Sequence, residues 1–204
     1  MEPIFVDISG RYRQNLYIGA LKASASQISD VLDSRPYLSL MERYGKIPTY
    51  KELRRKEEVE SLIDVLDKYG LEYSIGIFKR KEYVSIESKI RGKWNYKARL
   101  MSIFIYLTTR GMVSYPEQLV YMEEGEYPSW RETIRRKLSE WHRSNILLKI
   151  DSKYLPGLLV ADHLSGFGRR SFQRKISNIN RNRLFIASSK ILKFYVKEEF
   201  KIRI

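Results

Sequence analysis

Three places in this 204-residue chain put a carboxylate where its neighbours are apolar or where a strand should stop. Asp7 lies inside Ile4-Phe5-Val6-Asp7-Ile8, a run of large β-branched and aromatic residues of the kind buried on both faces of a sheet. A carboxylate there is costly unless it is solvated at the strand end, hydrogen-bonded, or held against a cation. It therefore reads either as an Asx cap on the following Ser9-Gly10 turn or as an acid with chemistry to do. Glu123 and Glu124 follow the strand-like segment Glu117 to Met122, where solvated loop acids and metal ligands are the two readings. Asp162 sits among Leu158, Leu159, Ala161, Leu164, Ser165 and Gly168, on a helix face that should point inward, either as a structural hydrogen bonder or as a partner of the other acids.

The remaining composition narrows the chemistry. With no cysteine and only His142 and His163, a thiolate site, a Cys nucleophile and a His-rich zinc site are excluded, which leaves carboxylate oxygens as the ligands of any metal. The formal charge of +14 points to a polyanionic partner, nucleic acid first, with a merely solvated basic surface as the alternative. Candidate phosphate contacts are Arg11 and Arg13 in the turn beside Asp7, then Lys153, Arg169, Arg170, Arg174 and Lys175. Arg131, Arg135, Arg136 and Lys137 read as a solvated helix face. Beyond Gly168 basic residues interleave with Phe172, Phe185, Phe194 and Tyr195, as on a nucleic-acid surface. Neither a P-loop nor a dinucleotide glycine fingerprint is present, so nothing supports an ATPase. No apolar run is long enough to span a bilayer and the N-terminus has no signal-peptide pattern, so the expected location is cytoplasmic.

Elements must carry these residues into register. Strands are expected at Ile4 to Ile8 and Leu16 to Leu21 as an antiparallel hairpin, and then at Leu71 to Phe78, Glu117 to Met122 and Ile146 to Asp151, the last of the sheet. Helices are expected at Ser26 to Leu32 with Ser26 as N-cap, and at Tyr50 to Tyr69 behind Thr49, with Glu57, Glu58 and Glu60 solvated and Gly70 as the stop. Further helices follow at Tyr96 to Thr109, Ser129 to Arg143, and around Leu158 to Gly168. The surroundings of Pro36 and the basic stretch Lys79 to Lys97 read as irregular. The apolar pairs near Leu184 and Leu192 read as a terminal hairpin or an arm. The alternation describes an α/β domain over residues 1–170, with a basic extension over 171–204 packed on it.

Asp7, Ser9 and Gly10 at the front, with Ser152, Lys153, Leu159, Ala161, Asp162, Gly166, Arg169 and Arg170 at the back, resemble the motifs of ribonuclease-H-like families of bacteria and archaea. The resemblance implies an α/β fold with a ribonuclease-H-like mixed β-sheet flanked by helices. Asp7 would lie on the central strand, Glu123 or Glu124 beside it, and Asp162 would come from the late helix. It also implies a metal-dependent nuclease acting on DNA or RNA through Mg²⁺ or Mn²⁺, with Lys153 or Arg169 positioning the phosphate. Two departures keep other readings open: Ile8 stands where the most familiar of these families has Glu, and Glu123 or Glu124 where an Asp is usual. A non-catalytic DNA- or RNA-binding protein of the same fold is the first alternative, and a protein whose basic face meets an acidic protein partner is the second.

Overall fold

The computed structural model describes residues 2–10, 14–53, 56–114, 116–123, 128–152, 155–174 and 184–203, with the backbone alone at 56, 59, 128 and 171–174. Among the described residues, strands β1 (Ile4–Ser9), β2 (Leu16–Lys22), β3 (Glu72–Phe78), β4 (Glu117–Glu123), β5 (Asn145–Asp151) and β6 (Leu184–Ile186) form one sheet. Its order is β5-β4-β1-β2-β3-β6. Strands β1, β2 and β3 form an antiparallel meander, whereas β4 runs parallel to β1, β5 to β4, and β6 to β3.

The two faces of the sheet are covered by different helices. Helices α4 (Arg80–Ile90), α5 (Tyr96–Thr109), α6 (Arg131–His142) and α8 (Ser189–Phe200) pack on the face carrying Ile4, Val6 and Ile18. Helices α1 (Ala25–Leu32), α2 (Arg35–Tyr44), α3 (Lys56–Lys68) and α7 (Pro156–Arg174) cover the face carrying Phe5, Tyr17 and Leu21. Because side chains alternate along a strand, Asp7 shares the second face with Phe5 and points toward α7. Among the described residues, no helix is long and apolar enough to cross a membrane.

Several local expectations fail for identifiable reasons. Ser24, not Ser26, caps α1: its hydroxyl accepts from the Gln27 amide at 3.2 Å while the Gln27 side chain accepts from the Ser24 amide at 2.7 Å, a reciprocal capping box. Pro36 lies in the first turn of α2, where its missing N–H costs nothing, so this stretch is helical. The helix expected from Tyr50 begins at Lys56. Thr49 instead closes a short turn, its amide and hydroxyl donating to Glu52 at 2.7 and 2.9 Å. Glu58 is buried against Arg43 rather than solvated.

The basic stretch after β3 hides α4, whose Tyr83, Ile86 and Ile90 recur at helical spacing and are buried. At the other end, the expected hairpin is a strand and a helix. Strand β6 extends the sheet beside β3, and α8 buries Leu192, Val196 and Phe200 at four-residue intervals. The sheet therefore continues past β5.

Helix α7 crosses β1, β2 and β3 at unusually short range because glycine stands at the crossing points. A Cβ on Gly19 would stand 2.3 Å from the Ala161 carbonyl oxygen and 2.6 Å from the Ser165 amide nitrogen. Gly19 is the register partner of Asp7, so this close approach is what brings α7 down onto the acid. Gly19→Ala is expected to cost about 1–3 kcal/mol in urea unfolding, whereas Gly92→Ala, which meets open space, should be close to neutral. Equal stability of the two variants would contradict this packing.

Candidate carboxylate site

The acids are aligned by strand register. Val6 pairs with Met122 across the parallel β1/β4 ladder, so the next residues, Asp7 and Glu123, are neighbours on one face. Glu123 in turn pairs with Asp151 of β5. Asp7, Glu123 and Asp151 thus form one rung at the carboxyl ends of three parallel strands, the end at which open α/β sheets commonly bind ligands. The preceding rung on the same face, two positions earlier, is Phe5, Tyr121 and Lys149.

Asp7 is 3% exposed, too little for water to stabilise its charge. Its carboxyl is held well above the usual carboxylate range, first by burial, then by the neighbouring Asp162 charge, and further by Glu123, which lies within hydrogen-bonding reach; the Ser165 hydroxyl opposes the rise. Ser165 Oγ stands 2.5 Å from Asp7 Oδ2 and 3.1 Å from the Asp162 carbonyl oxygen. With Asp7 ionised the hydroxyl donates to it. With Asp7 protonated the carboxyl donates to Ser165, which donates onward to the carbonyl.

Asp162 is delivered by α7 and is half-buried. Its Oδ2 accepts from the Tyr50 amide at 2.6 Å, which ties α7 to the turn before α3. That turn is gripped twice more from the same helix. His163 Nε2 donates to the Pro48 carbonyl at 2.8 Å, while Arg170 donates to the Leu53 carbonyl at 2.6 Å and lies 4.9 Å over the Tyr50 ring. Burial pushes His163 down to about 4, so its ring is neutral at pH 7, and its Nδ1 faces the Tyr37 hydroxyl at 3.2 Å.

Of the acids expected to converge, Glu123 and Asp162 both lie close enough to Asp7 for their charges to raise its pKa. Arg169 is exposed on α7, whereas Arg170 is half-buried and engages the Leu53 carbonyl and the Tyr50 ring. Glu124, Arg11, Arg13, Lys153, Lys175 and the side chain of Arg174 lie outside the described residues. Asp151, Ser165 and Tyr50 were not singled out from sequence. The signal for Asp151 is a strand ending at the same level as β4, and that for Ser165 is a small hydroxyl residue three positions after Asp162.

Hard carboxylate oxygens suit Mg²⁺ or Mn²⁺, and the repulsion around Asp7 is of the kind a cation relieves. Among the described residues, however, no three His, Asp or Glu side chains are gathered into a metal-holding arrangement. Asp162 in particular is turned to the Tyr50 amide.

No family model and no curated protein sequence matches the chain. Solved structures do. Ribonuclease H2 from Pyrococcus horikoshii OT3 superposes with a TM-score of 0.56 at 13% identity, over 98% of this chain and 88% of that one. Bst-RNase HIII in complex with Mn²⁺ gives 0.51 at 14% identity, over 100% of this chain and 63% of that one. A Bst-RNase HIII point mutant gives 0.52 at 13% identity with the same coverage. At such identities the likeness concerns the fold, which is ribonuclease-H-like.

The raised Asp7 pKa carries a stability consequence of definite sign. Folding binds a proton that the unfolded chain releases near pH 4, so the Asp7 contribution is fully present below that pH and is lost as pH rises through the folded value. Asp7→Asn, which keeps the shape without the charge, is therefore expected to melt a few degrees above the parent at pH 7.5 in EDTA and level with it near pH 3.5. A variant less stable than the parent at pH 7.5 would contradict the buried-charge account.

Proposed function

We propose that this chain is a nuclease that hydrolyses phosphodiester bonds in DNA or RNA with the help of Mg²⁺ or Mn²⁺. The observation that carries the reading is the buried Asp7 carboxyl, in register beside Glu123 near the end of a central strand of a ribonuclease-H-like sheet and raised in pKa by burial and by the Asp162 and Glu123 charges. It is supported by the solved structures with this fold, which are ribonucleases, one of them in complex with Mn²⁺.

In this reading Asp7, Glu123 and Asp162 hold the metal, with Asp151 on the same rung and Glu124 next in the chain. When bound, such ions supply an activated water and neutralise charge on the phosphate. The chain's own residues do the positioning. Ser165 fixes the Asp7 carboxyl from α7, and Gly19 lets that helix come close enough to do so. Arg169, exposed two turns beyond Asp162 on α7, would attract the phosphate backbone, with Lys153, Arg11, Arg13, Arg174 and Lys175 as further contacts. A cleft of about 580 Å³ lined by Asn15, Lys79, Arg80 and Lys81 lies where β3 ends and β2 begins, and adds positive charge at the same end of the sheet.

A second reading, a nucleic-acid-binding protein without catalysis, draws on two observations. Ile8 removes an acid from β1, and Asp162 is engaged by a backbone amide as a structural residue would be.

Cleavage assays on labelled single-stranded, duplex and hybrid DNA and RNA separate the two. Cleavage is expected only with Mg²⁺ or Mn²⁺, and Asp7→Asn and Asp162→Asn should each reduce it to background while binding persists. Binding without cleavage in the parent selects the second reading, and cleavage surviving in both variants removes these residues from the site. Insensitivity of binding to salt would argue against a nucleic-acid partner altogether.

A further inference from the structure

Phe5 and Tyr121 are partners across the β1/β4 ladder, two positions before Asp7 and Glu123 on the same face, with their rings stacked at 5.3 Å and 11°. The two rings have different fates. Phe5 is buried beneath α7, where a Cβ on Gly157 would stand 2.5 Å from its ring, and is itself part of the lining of the groove that Tyr121 faces. Tyr121 is half-exposed and faces a groove of about 380 Å³ between α1 and the start of α7, lined also by Ile28, Leu32 and Leu155. On the next strand Lys149 is exposed, with its ammonium 5.8 Å from the Tyr121 ring centroid. Leu147, two residues before it, is 42% exposed, since α7 lies over β1, β2 and β3 and leaves this face of β5 open.

We propose that Tyr121 and this groove form a nucleobase-binding subsite, taking one unpaired base of the nucleic-acid strand whose phosphate lies at the carboxylate rung. The inference rests on the nuclease reading and adds to it a preference for strands with an accessible base. Tyr121 and Glu123 are two positions apart on β4, about 7 Å along the strand, the scale of one nucleotide step. An aromatic face beside a lysine suits a base and its flanking phosphate, because the ring stacks on any base and the ammonium pairs with the anion. The chain's net charge of +14 favours this occupant over an apolar peptide, which would leave Lys149 without a counter-charge.

The test compares binding of the full chain, in EDTA to prevent cleavage, to a short fluorescein-labelled single-stranded oligonucleotide and to an abasic strand of the same length. The parent is expected to prefer the base-bearing strand by about tenfold. Tyr121→Leu should lose that preference while binding the abasic strand as before, which also shows that the variant is folded, and Tyr121→Phe should keep it. A base preference unchanged in Tyr121→Leu overturns the subsite while leaving Asp7-dependent cleavage, if observed, untouched. Binding of neither strand by the parent would remove the subsite and the nucleic-acid reading together. An apolar fluorophore held in the groove and not displaced by the oligonucleotide assigns the groove to an apolar partner and overturns the proposal.

Discussion

A carboxylate buried at the centre of a sheet must have its charge compensated, and much of this structure is arranged around that requirement at Asp7. Strand β1 is apolar on both faces because it is central, with β4 and β2 on either side, so water does not reach its α7 side. Ser165, whose hydroxyl meets the Asp7 carboxyl, is brought there by a helix whose close approach needs position 19 to have no side chain. Glu123 and Asp162 then add negative charge where a purely structural solution would have placed an arginine or further amides. That self-imposed electrostatic cost is the physical ground of the proposed cation site.

In the proposed reading Asp162 would serve fold and chemistry together. Through Tyr50 it anchors a turn that His163 and Arg170 also hold, so the late helix, the turn and the sheet form one unit around the acids. Metal binding through Asp162 would have to share or release the Tyr50 amide. The site's geometry is in this way coupled to the segment between α2 and α3, part of which reads in the sequence as a helix start at Tyr50 behind Thr49.

The sequence disclosed the features that depend on local pattern. The anomaly of Asp7 among β-branched neighbours, helix α5 with its matching bounds, and the inward placing of Ser165 and Gly168 on α7 follow from periodicity and residue size. What it concealed depends on long-range pairing. Asp151 looks like any strand-terminal acid until the β4/β5 register sets it opposite Glu123. Arg170 looks like a phosphate contact until the turn at Leu53 occupies it. Likewise, the charge of Lys79 to Lys81 masks the buried Tyr83, Ile86 and Ile90 that make α4 a helix, and α8 resembles a strand because Leu192, Phe194 and Val196 alternate within the four-spaced core pattern.

The most direct measurement of the central claim is anomalous diffraction from crystals soaked in Mn²⁺. The account requires manganese against the Asp7 carboxylate, with Glu123 and Asp162 turned toward it and the Tyr50 amide released or shared. Manganese found only elsewhere on the surface, with Asp162 still on Tyr50 and Asp7 still bonded to Ser165 alone, would contradict it. The fold would then carry a buried acid that serves structure, and the basic surface would be the part that acts.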